Sequence, residues 1–368
     1  MNLRKIGVVI FVLGMGCLWG EESTEFYRLE ELHRGLHHPW SLEELPSGEI
    51  LVSERRGRLW VIDLKNGTQQ EILGLPQIAA VGQGGLLDLA IAPDFAQSRV
   101  IYFTFSTEVT SRRYSTALGK ARLVEWELQD TQVLFTANHA QEGGVHFGSR
   151  ILVLEDESIL FSVGDRGQRQ HAQNGAIHSG SLLRVDSQGH PPADNPFMNE
   201  PHYAPELYSL GHRNIQGLTQ DEQGRIFAHE HGPYGGDEVN LILPGQNYGW
   251  PQVGLGKEYR SKASIGILPP VPGFESPLWH WSPSIAPSGM MVYSGSVFPQ
   301  WKGSLFLGAL AGKHLARLQM EETNIVESER LVENQVGRIR DVIQGNDGLI
   351  YFLTDSRNGK LIRLIPNL

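Results

Sequence analysis

Asp347-Gly348-Leu349-Ile350-Tyr351 is a polar turn running straight into an apolar strand, and the chain repeats that arrangement five more times. It recurs at Ser47-Gly48-Glu49-Ile50-Leu51-Val52, Arg99-Val100-Ile101-Tyr102-Phe103, Glu157-Ser158-Ile159-Leu160-Phe161, Gln223-Gly224-Arg225-Ile226-Phe227 and Lys302-Gly303-Ser304-Leu305-Phe306. Gly and Asp punctuate strands, while β-branched and aromatic residues fill them. The intervals are uneven, roughly 45 to 80 residues, which blades of four strands joined by unequal loops tolerate. Six units of about 58 residues predict an all-β chain, a six-bladed β-propeller, in preference to a pair of β-sandwiches. Phe26 to Leu29 reads as a short strand that completes a last blade lying between Asp341 and Ile365. The ring would then close near its termini, with residues 21–368 as one domain.

Outside the strands, the composition narrows the class of function. The formal charge is −10, and removing the first 20 residues takes away Arg4 and Lys5, leaving the body more acidic still. That argues against nucleic acid or an anionic membrane surface as the main partner. Arg4 and Lys5, the apolar run Ile6 to Trp19 and then Gly20 and Glu21-Glu22 read as a signal peptide over residues 1–20. A run of about 14 apolar residues is short for a bilayer span, and no later segment reaches about 18. The expected product is periplasmic or secreted and not membrane-spanning. A lipid anchor at Cys17, the only cysteine, is the lesser reading, because Gly14 stands where the lipidation signal wants Leu.

Residues suited to chemistry sit in Gly-rich segments beside strands. Gly143-Gly144-Val145-His146-Phe147-Gly148-Ser149-Arg150 puts a His at a strand mouth, where it is either a general base or a partner for a turn carbonyl. Gly164-Asp165-Arg166-Gly167 puts a carboxylate at a strand end, suited to orienting that His or to bonding turn amides. Gly211-His212-Arg213-Asn214-Ile215-Gln216-Gly217 offers a guanidinium and two amides, and Arg338 and Arg340 share one face of a strand by the period of two. Arginines so placed repel unless something anionic lies between or beside them, and Arg grips carboxylates bidentately. In His229-Glu230-His231-Gly232-Pro233-Tyr234-Gly235-Gly236-Asp237-Glu238, adjacent carboxylates after a Gly/Pro turn suit Ca²⁺. Zinc at His229, Glu230 and His231 is a weaker reading, since alternation along a strand puts Glu230 opposite the two His. Gly82-Gln83-Gly84-Gly85 has no following GK[ST] and no βαβ context, which excludes a nucleotide loop. The long segments Arg166 to Leu210 and Gly254 to Ser282 are expected to gather as functional loops on one face.

Taken in order, these motifs resemble the soluble quinoprotein aldose (glucose-type) dehydrogenases, six-bladed propellers that use pyrroloquinoline quinone (PQQ) and calcium. The likeness runs from His38-Pro39-Trp40 and Glu54-Arg55-Arg56-Gly57-Arg58, through Gly82 to Leu87, the segments just quoted, Asn247-Tyr248-Gly249-Trp250-Pro251 and Pro283 to Ser288, to Arg338-Ile339-Arg340-Asp341. It implies that His146 takes the proton from the reacting hydroxyl as hydride passes to the quinone, and that Asp165 orients His146. It implies further that Gln83 and Trp279 line the substrate side and that Arg213, Asn214, Arg338 and Arg340 hold the cofactor. Gly232 and Pro233 would present oxygens to one Ca²⁺, and Asp237, Glu238 and Tyr248 would bind a structural one. Where the best-known members carry a Lys, direct alignment gives Ala311, with Lys313 two residues on. The implied reaction is oxidation of the anomeric hydroxyl of aldoses to lactones, the electrons leaving to a cytochrome or quinone. A calcium-dependent propeller lactonase and a non-enzymatic sugar- or protein-binding propeller are the alternatives.

Overall fold

The structure, a computed structural model, describes residues 26–321 and 324–367. The leader read over residues 1–20, with Cys17, lies outside the described residues. Six four-stranded antiparallel sheets form, five of them from consecutive strands. The sixth is completed by the first strand, Tyr27–Leu36, which pairs antiparallel with the last, Gly359–Pro366, in a register from Tyr27 opposite Pro366 to Leu36 opposite Gly359. This is a six-bladed β-propeller closed by pairing its two ends. The closing strand is ten residues long, beyond the Phe26 to Leu29 expected. Its continuation, Glu30, Glu31, His33 and Arg34, is polar because an outermost strand faces solvent, and that conceals it from a hydrophobic reading.

Each recurring turn-then-strand motif proves to be the second strand of a blade. Ile50–Glu54, Ile159–Val163, Ile226–Glu230, Leu305–Ala309 and Ile350–Thr354 are buried along their whole length. A strand covered by neighbouring blades on both faces loses alternation and reads as a continuous apolar run. The turn before it is equally regular: Gly48 N–H donates to Leu45 O at 2.8 Å and Gly348 N–H to Gly345 O at 2.9 Å. Both glycines have a positive φ, which they adopt without a Cβ clash. Apolar side chains from adjacent sheets then gather in six clusters, one between each neighbouring pair of blades.

The innermost strands, Pro39–Glu44, Leu86–Ile91, Ile151–Val153, Ile215–Gln220, Pro287–Val292 and Ile339–Gln344, surround the axis. Their starts and the ends of the second strands meet at one face. Just inside lies a buried hub. Arg150 Nη1 donates to Asp88 Oδ1 at 2.9 Å and lies 3.0 Å from Asp341 Oδ1, while its Nε donates to Gln216 O at 2.7 Å. The second oxygens of those aspartates accept the backbone N–H of Ile151 and Leu42. One guanidinium and its two aspartates thus tie together strands from five blades. Among the described residues no helix is long and apolar enough to cross a membrane.

Candidate active site

Above the hub opens a cavity of about 200 Å³ to which every blade contributes: Trp40 and Arg55, Gln83 and Leu87, Phe147 and Gly148, Asn214, Gln216 and His231, Ala286 and Leu310, and Arg338 and Arg340. The propeller alone explains the convergence, since the loops that start inner strands crowd around one axis.

His146 stands at its rim with φ 50°, its backbone N–H donating to Gln83 Oε1 at 2.8 Å. Its Nδ1 lies 2.6 Å from Asp165 Oδ1 and donates to that carboxylate, which leaves Nε2 without a protein partner among the described residues. Burial pushes the Asp165 carboxyl up, but the hydrogen bond to His146, with the charges of His146 and Arg213 and the Gly167 N–H, holds it below the usual range. The other Asp165 oxygen accepts the Trp250 indole N–H at 2.9 Å. Arg166 clamps the His146 loop from beneath, donating to the carbonyls of Val145 and Gly143 and stacking 3.4 Å above the Phe147 ring. A side chain at Gly164 would strike the His146 carbonyl, so the two segments meet only because that position has no Cβ.

On the opposite wall the anion that two neighbouring arginines require is Asp355. Its Oδ2 accepts Arg338 Nη2 at 3.0 Å and lies 3.7 Å from Arg340 Nη2, and its Oδ1 accepts His38 Nδ1 at 2.7 Å. Burial raises its carboxyl, yet Arg340, His38 and Arg338 bring it down to about 2. Arg340 is only partly compensated: burial presses it down to about 10, Asp355 opposes this, and Arg150, Arg338 and Arg55 add to it. His231 is held neutral, at about 3, mainly by burial, and donates from Nε2 to Pro287 O at 2.7 Å.

A second, smaller cavity of about 20 Å³ shares His231 and is lined by Arg213, Glu230, Gly232, Pro233, Glu238 and Tyr248. That is room for one water or ion. Glu230 and Glu238 are direct cross-strand partners, and Glu238 is pushed up by burial and then by the charge of Glu230. Like charges placed opposite one another are unfavourable without a cation. Glu230 also accepts His212 Nδ1 at 2.8 Å and the Arg213 N–H. Residues read as two calcium sites therefore line one pocket, with Asp237 excepted. Its Oδ1 accepts Gly232 N–H, and its Oδ2 accepts the Ser284 hydroxyl and the N–H groups of Ile285 and Ala286. Period-two alternation sends Asp237 and Glu238 to opposite faces, so Asp237 fastens loops and leaves Glu238 to the pocket. The Tyr248 hydroxyl is also used internally, donating to Leu241 O at 2.6 Å and accepting Leu243 N–H. Among the described residues no group of three or more His, Cys, Asp or Glu is gathered to hold a metal. His229, part of the zinc reading, is buried, with its Nε2 3.5 Å from Gly289 O.

The profile of the Glucose / Sorbosone dehydrogenase family matches residues 36–363. The aldose sugar dehydrogenase YliI of Escherichia coli is 36% identical over all of this chain and all of its own. A crystal structure of a glucose dehydrogenase superposes with a TM-score of 0.89 at 41% identity, covering 93% of this chain and 100% of that one. The PQQ-bound aldose sugar dehydrogenase of Streptomyces coelicolor does so at 0.76 and 28%, covering 92% and 98%. The chain belongs to the glucose/sorbosone dehydrogenase family. It is an oxidoreductase of the aldose sugar dehydrogenase kind.

In this dehydrogenase two expected site residues stand apart from the large cavity. Trp279 lies on the outermost strand of its blade, Trp279–Trp281, paired with Val239 and packed against the core cluster containing Phe227 and Ile325. Trp279, read as a substrate-side aromatic, is thus placed in the groove between blades by its position on an edge strand. Arg213 faces the small cavity, donating from Nη1 to His231 O at 2.9 Å and Gly232 O at 3.1 Å. Ala311 sits exposed beside the cavity residue Leu310 and brings no charge; Lys313 is also exposed. From the sequence, Trp40, Arg55, Trp250 and Asp355 carry no assigned role, and Glu230 carries only the weaker zinc reading. Trp40, Arg55, Trp250 and Glu230 stood inside quoted motifs, but Asp355 lies in a bland turn; the pairing of Ile339–Gln344 with Ile350–Thr354 brings it to Arg338, and closure of the ring brings it to His38.

Proposed function

We propose that this enzyme oxidises the anomeric hydroxyl of aldoses to lactones with PQQ, and that it is exported to the periplasm or secreted after loss of a leader. The observation that carries the reading is the large cavity itself. Arg55, Arg338 and Arg340 converge there against one carboxylate, Asp355, with Asn214 and Gln216 alongside and the His146–Asp165 pair at the rim. That donor set fits a planar polycarboxylate, because guanidinium forks match carboxylates and three guanidinium groups facing one protein carboxylate leave positive charge for an anionic ligand. A lactonase would have no use for such a surplus.

PQQ, when bound, supplies the hydride acceptor. His146 Nε2 takes the hydroxyl proton of the sugar, and Asp165 stabilises the imidazolium that results and keeps the ring in the productive tautomer. Gln83 holds the His146 backbone, and Arg166 fixes the loop. Arg340, Asn214 and Gln216 would hold the cofactor's oxygens. In the small cavity Glu238 and Glu230, with backbone oxygens of Gly232, Pro233 and Tyr248, would hold Ca²⁺, whose charge offsets the paired carboxylates and supplies Lewis acidity beside the cofactor. The two electrons then need an external acceptor, a cytochrome or a quinone.

The test is reconstitution. Purified protein without PQQ should be inert toward aldoses and gain turnover with an artificial acceptor once PQQ and Ca²⁺ are added. His146→Ala should lower kcat about 10²- to 10⁴-fold, as expected for a lost general base, while still binding PQQ. Robust NAD-dependent turnover without PQQ overturns the reading, and near wild-type kcat in His146→Ala overturns the role of His146.

A further inference from the structure

The run Glu54-Arg55-Arg56-Gly57-Arg58 carries three arginines that the fold treats differently. Arg56 Nε donates to Glu54 Oε2 at 2.9 Å, and Arg58 lies 3.6 Å from Glu71. Arg55, between them in the chain, is half-buried in the wall of the large cavity, and among the described residues its guanidinium has no hydrogen bond and no ion pair. The nearest carboxylate in sequence is spoken for, since Glu54 accepts the His37 N–H at 2.6 Å as well as Arg56.

The position is nevertheless tightly built. The Arg55 N–H donates to His38 O at 3.3 Å, and its carbonyl accepts Leu86 N–H at 3.2 Å. Gly85, with φ +148°, packs so closely that any Cβ would collide with the Arg55 carbonyl and press on its Cγ. Backbone anchored on both sides and a Gly cut to fit hold a charged side chain where the protein offers it no counter-charge. A partly desolvated guanidinium left unpaired is unfavourable, so its natural complement is an anion that arrives from solution. Arg338 differs, because Asp355 Oδ2 already accepts both its Nε and its Nη2.

We infer that Arg55 is a carboxylate-binding residue of the active-site cavity, contributing its guanidinium to a ligand that enters there. The inference rests on the functional reading above. The carboxylate has two chemical sources, one of the cofactor's own or that of an acidic sugar such as a uronate. Arg55→Gln and Arg55→Lys, both expected to melt like wild type in the absence of PQQ, separate them. PQQ binding to the apoproteins is followed by quenching of intrinsic fluorescence, with no turnover required. KM for glucose and for glucuronate is then measured at saturating PQQ.

If the carboxylate is the cofactor's, Arg55→Gln weakens PQQ binding about 10- to 100-fold, the range for one lost charged hydrogen bond, with Arg55→Lys between the two. If it is the substrate's, PQQ affinity holds while KM for glucuronate rises about tenfold or more and KM for glucose stays put. Wild-type affinity for PQQ together with an unchanged ratio of the two KM values in Arg55→Gln overturns the inference and leaves the functional reading standing. Absence of PQQ binding by wild type overturns both.

Discussion

Arg150 and Arg340 are buried near each other on the propeller axis, and both stack on Trp40, at 4.2 and 5.8 Å. Burial alone would make each easier to deprotonate. At Arg150 the charges of Asp341 and Asp88 outweigh that and raise its pKa. At Arg340 Asp355 does not suffice, and the value falls to about 10. The first guanidinium is satisfied by the fold and fastens blades; the second is left with unused binding capacity facing a cavity. Pairing, more than burial, separates a structural cation from a ligand-binding one.

The sharpest way to break that contrast is Arg150→Met. It leaves Asp88 and Asp341 buried side by side without their partner, and should cost about 3–5 kcal/mol in denaturant unfolding. Arg340→Met should cost apoprotein stability far less and appear instead as loss of PQQ binding. Equal stability losses in the two variants would dissolve the distinction.

A smaller effect separates the neighbours Asp237 and Glu238. Asp237→Asn disturbs four accepted hydrogen bonds and should lower the melting temperature by a similar amount with Ca²⁺ and with chelator. Glu238→Gln relieves repulsion from Glu230, so it should be neutral or stabilising in chelator and should abolish the rise in melting temperature that Ca²⁺ gives wild type. A calcium-dependent shift that survives in Glu238→Gln argues against the ion site in the small cavity.

The smallest effect concerns Glu43 on the innermost strand of the first blade. Burial, reinforced by Asp88, Asp341 and Glu44, pushes its carboxyl from an ordinary 4.5 up to about 8. Folding therefore takes up a proton between those values. The stability Glu43 contributes is complete below about pH 4.5 and is lost as pH rises through about 8. Glu43→Gln should flatten that decline, gaining on wild type at pH 9 relative to pH 5 in denaturant titrations. Parallel pH profiles would show that the carboxyl is not held protonated.

The propeller was legible because its signal is local and repeated. Each second strand is sandwiched between blades, so Ile50–Glu54 or Ile350–Thr354 must be a short apolar run, and each follows a tight turn that favours Gly. His146 and Asp165 were legible as a pair through family likeness, though they belong to separate loops. Strand alternation was legible for Arg338 and Arg340, and it demanded an anion that the chain could not name. The outermost closing strand was underestimated because solvent on its outer side permits polar residues, and the side to which Trp279 turns was not legible because an aromatic beside a Gly/Pro-rich loop looks the same whether it turns inward or between blades.

Taken by itself, the sequence determined the β-periodicity, the count of six, the acidic body and the types of polar groups available, since each follows from residue spacing or composition. Only the tertiary structure decided which carboxylate meets which cation. Asp355 reaches Arg338 and His38, Arg150 is claimed twice, Asp237 is consumed by backbone amides, and Arg55 is claimed by nothing among the described residues. The His38–Asp355 contact depends on ring closure, which brings residues 317 positions apart to within 3 Å, and the others on strand pairing and the packing of blades around the axis. Electrostatic pairing acts over that short range, and no spacing along the chain encodes it.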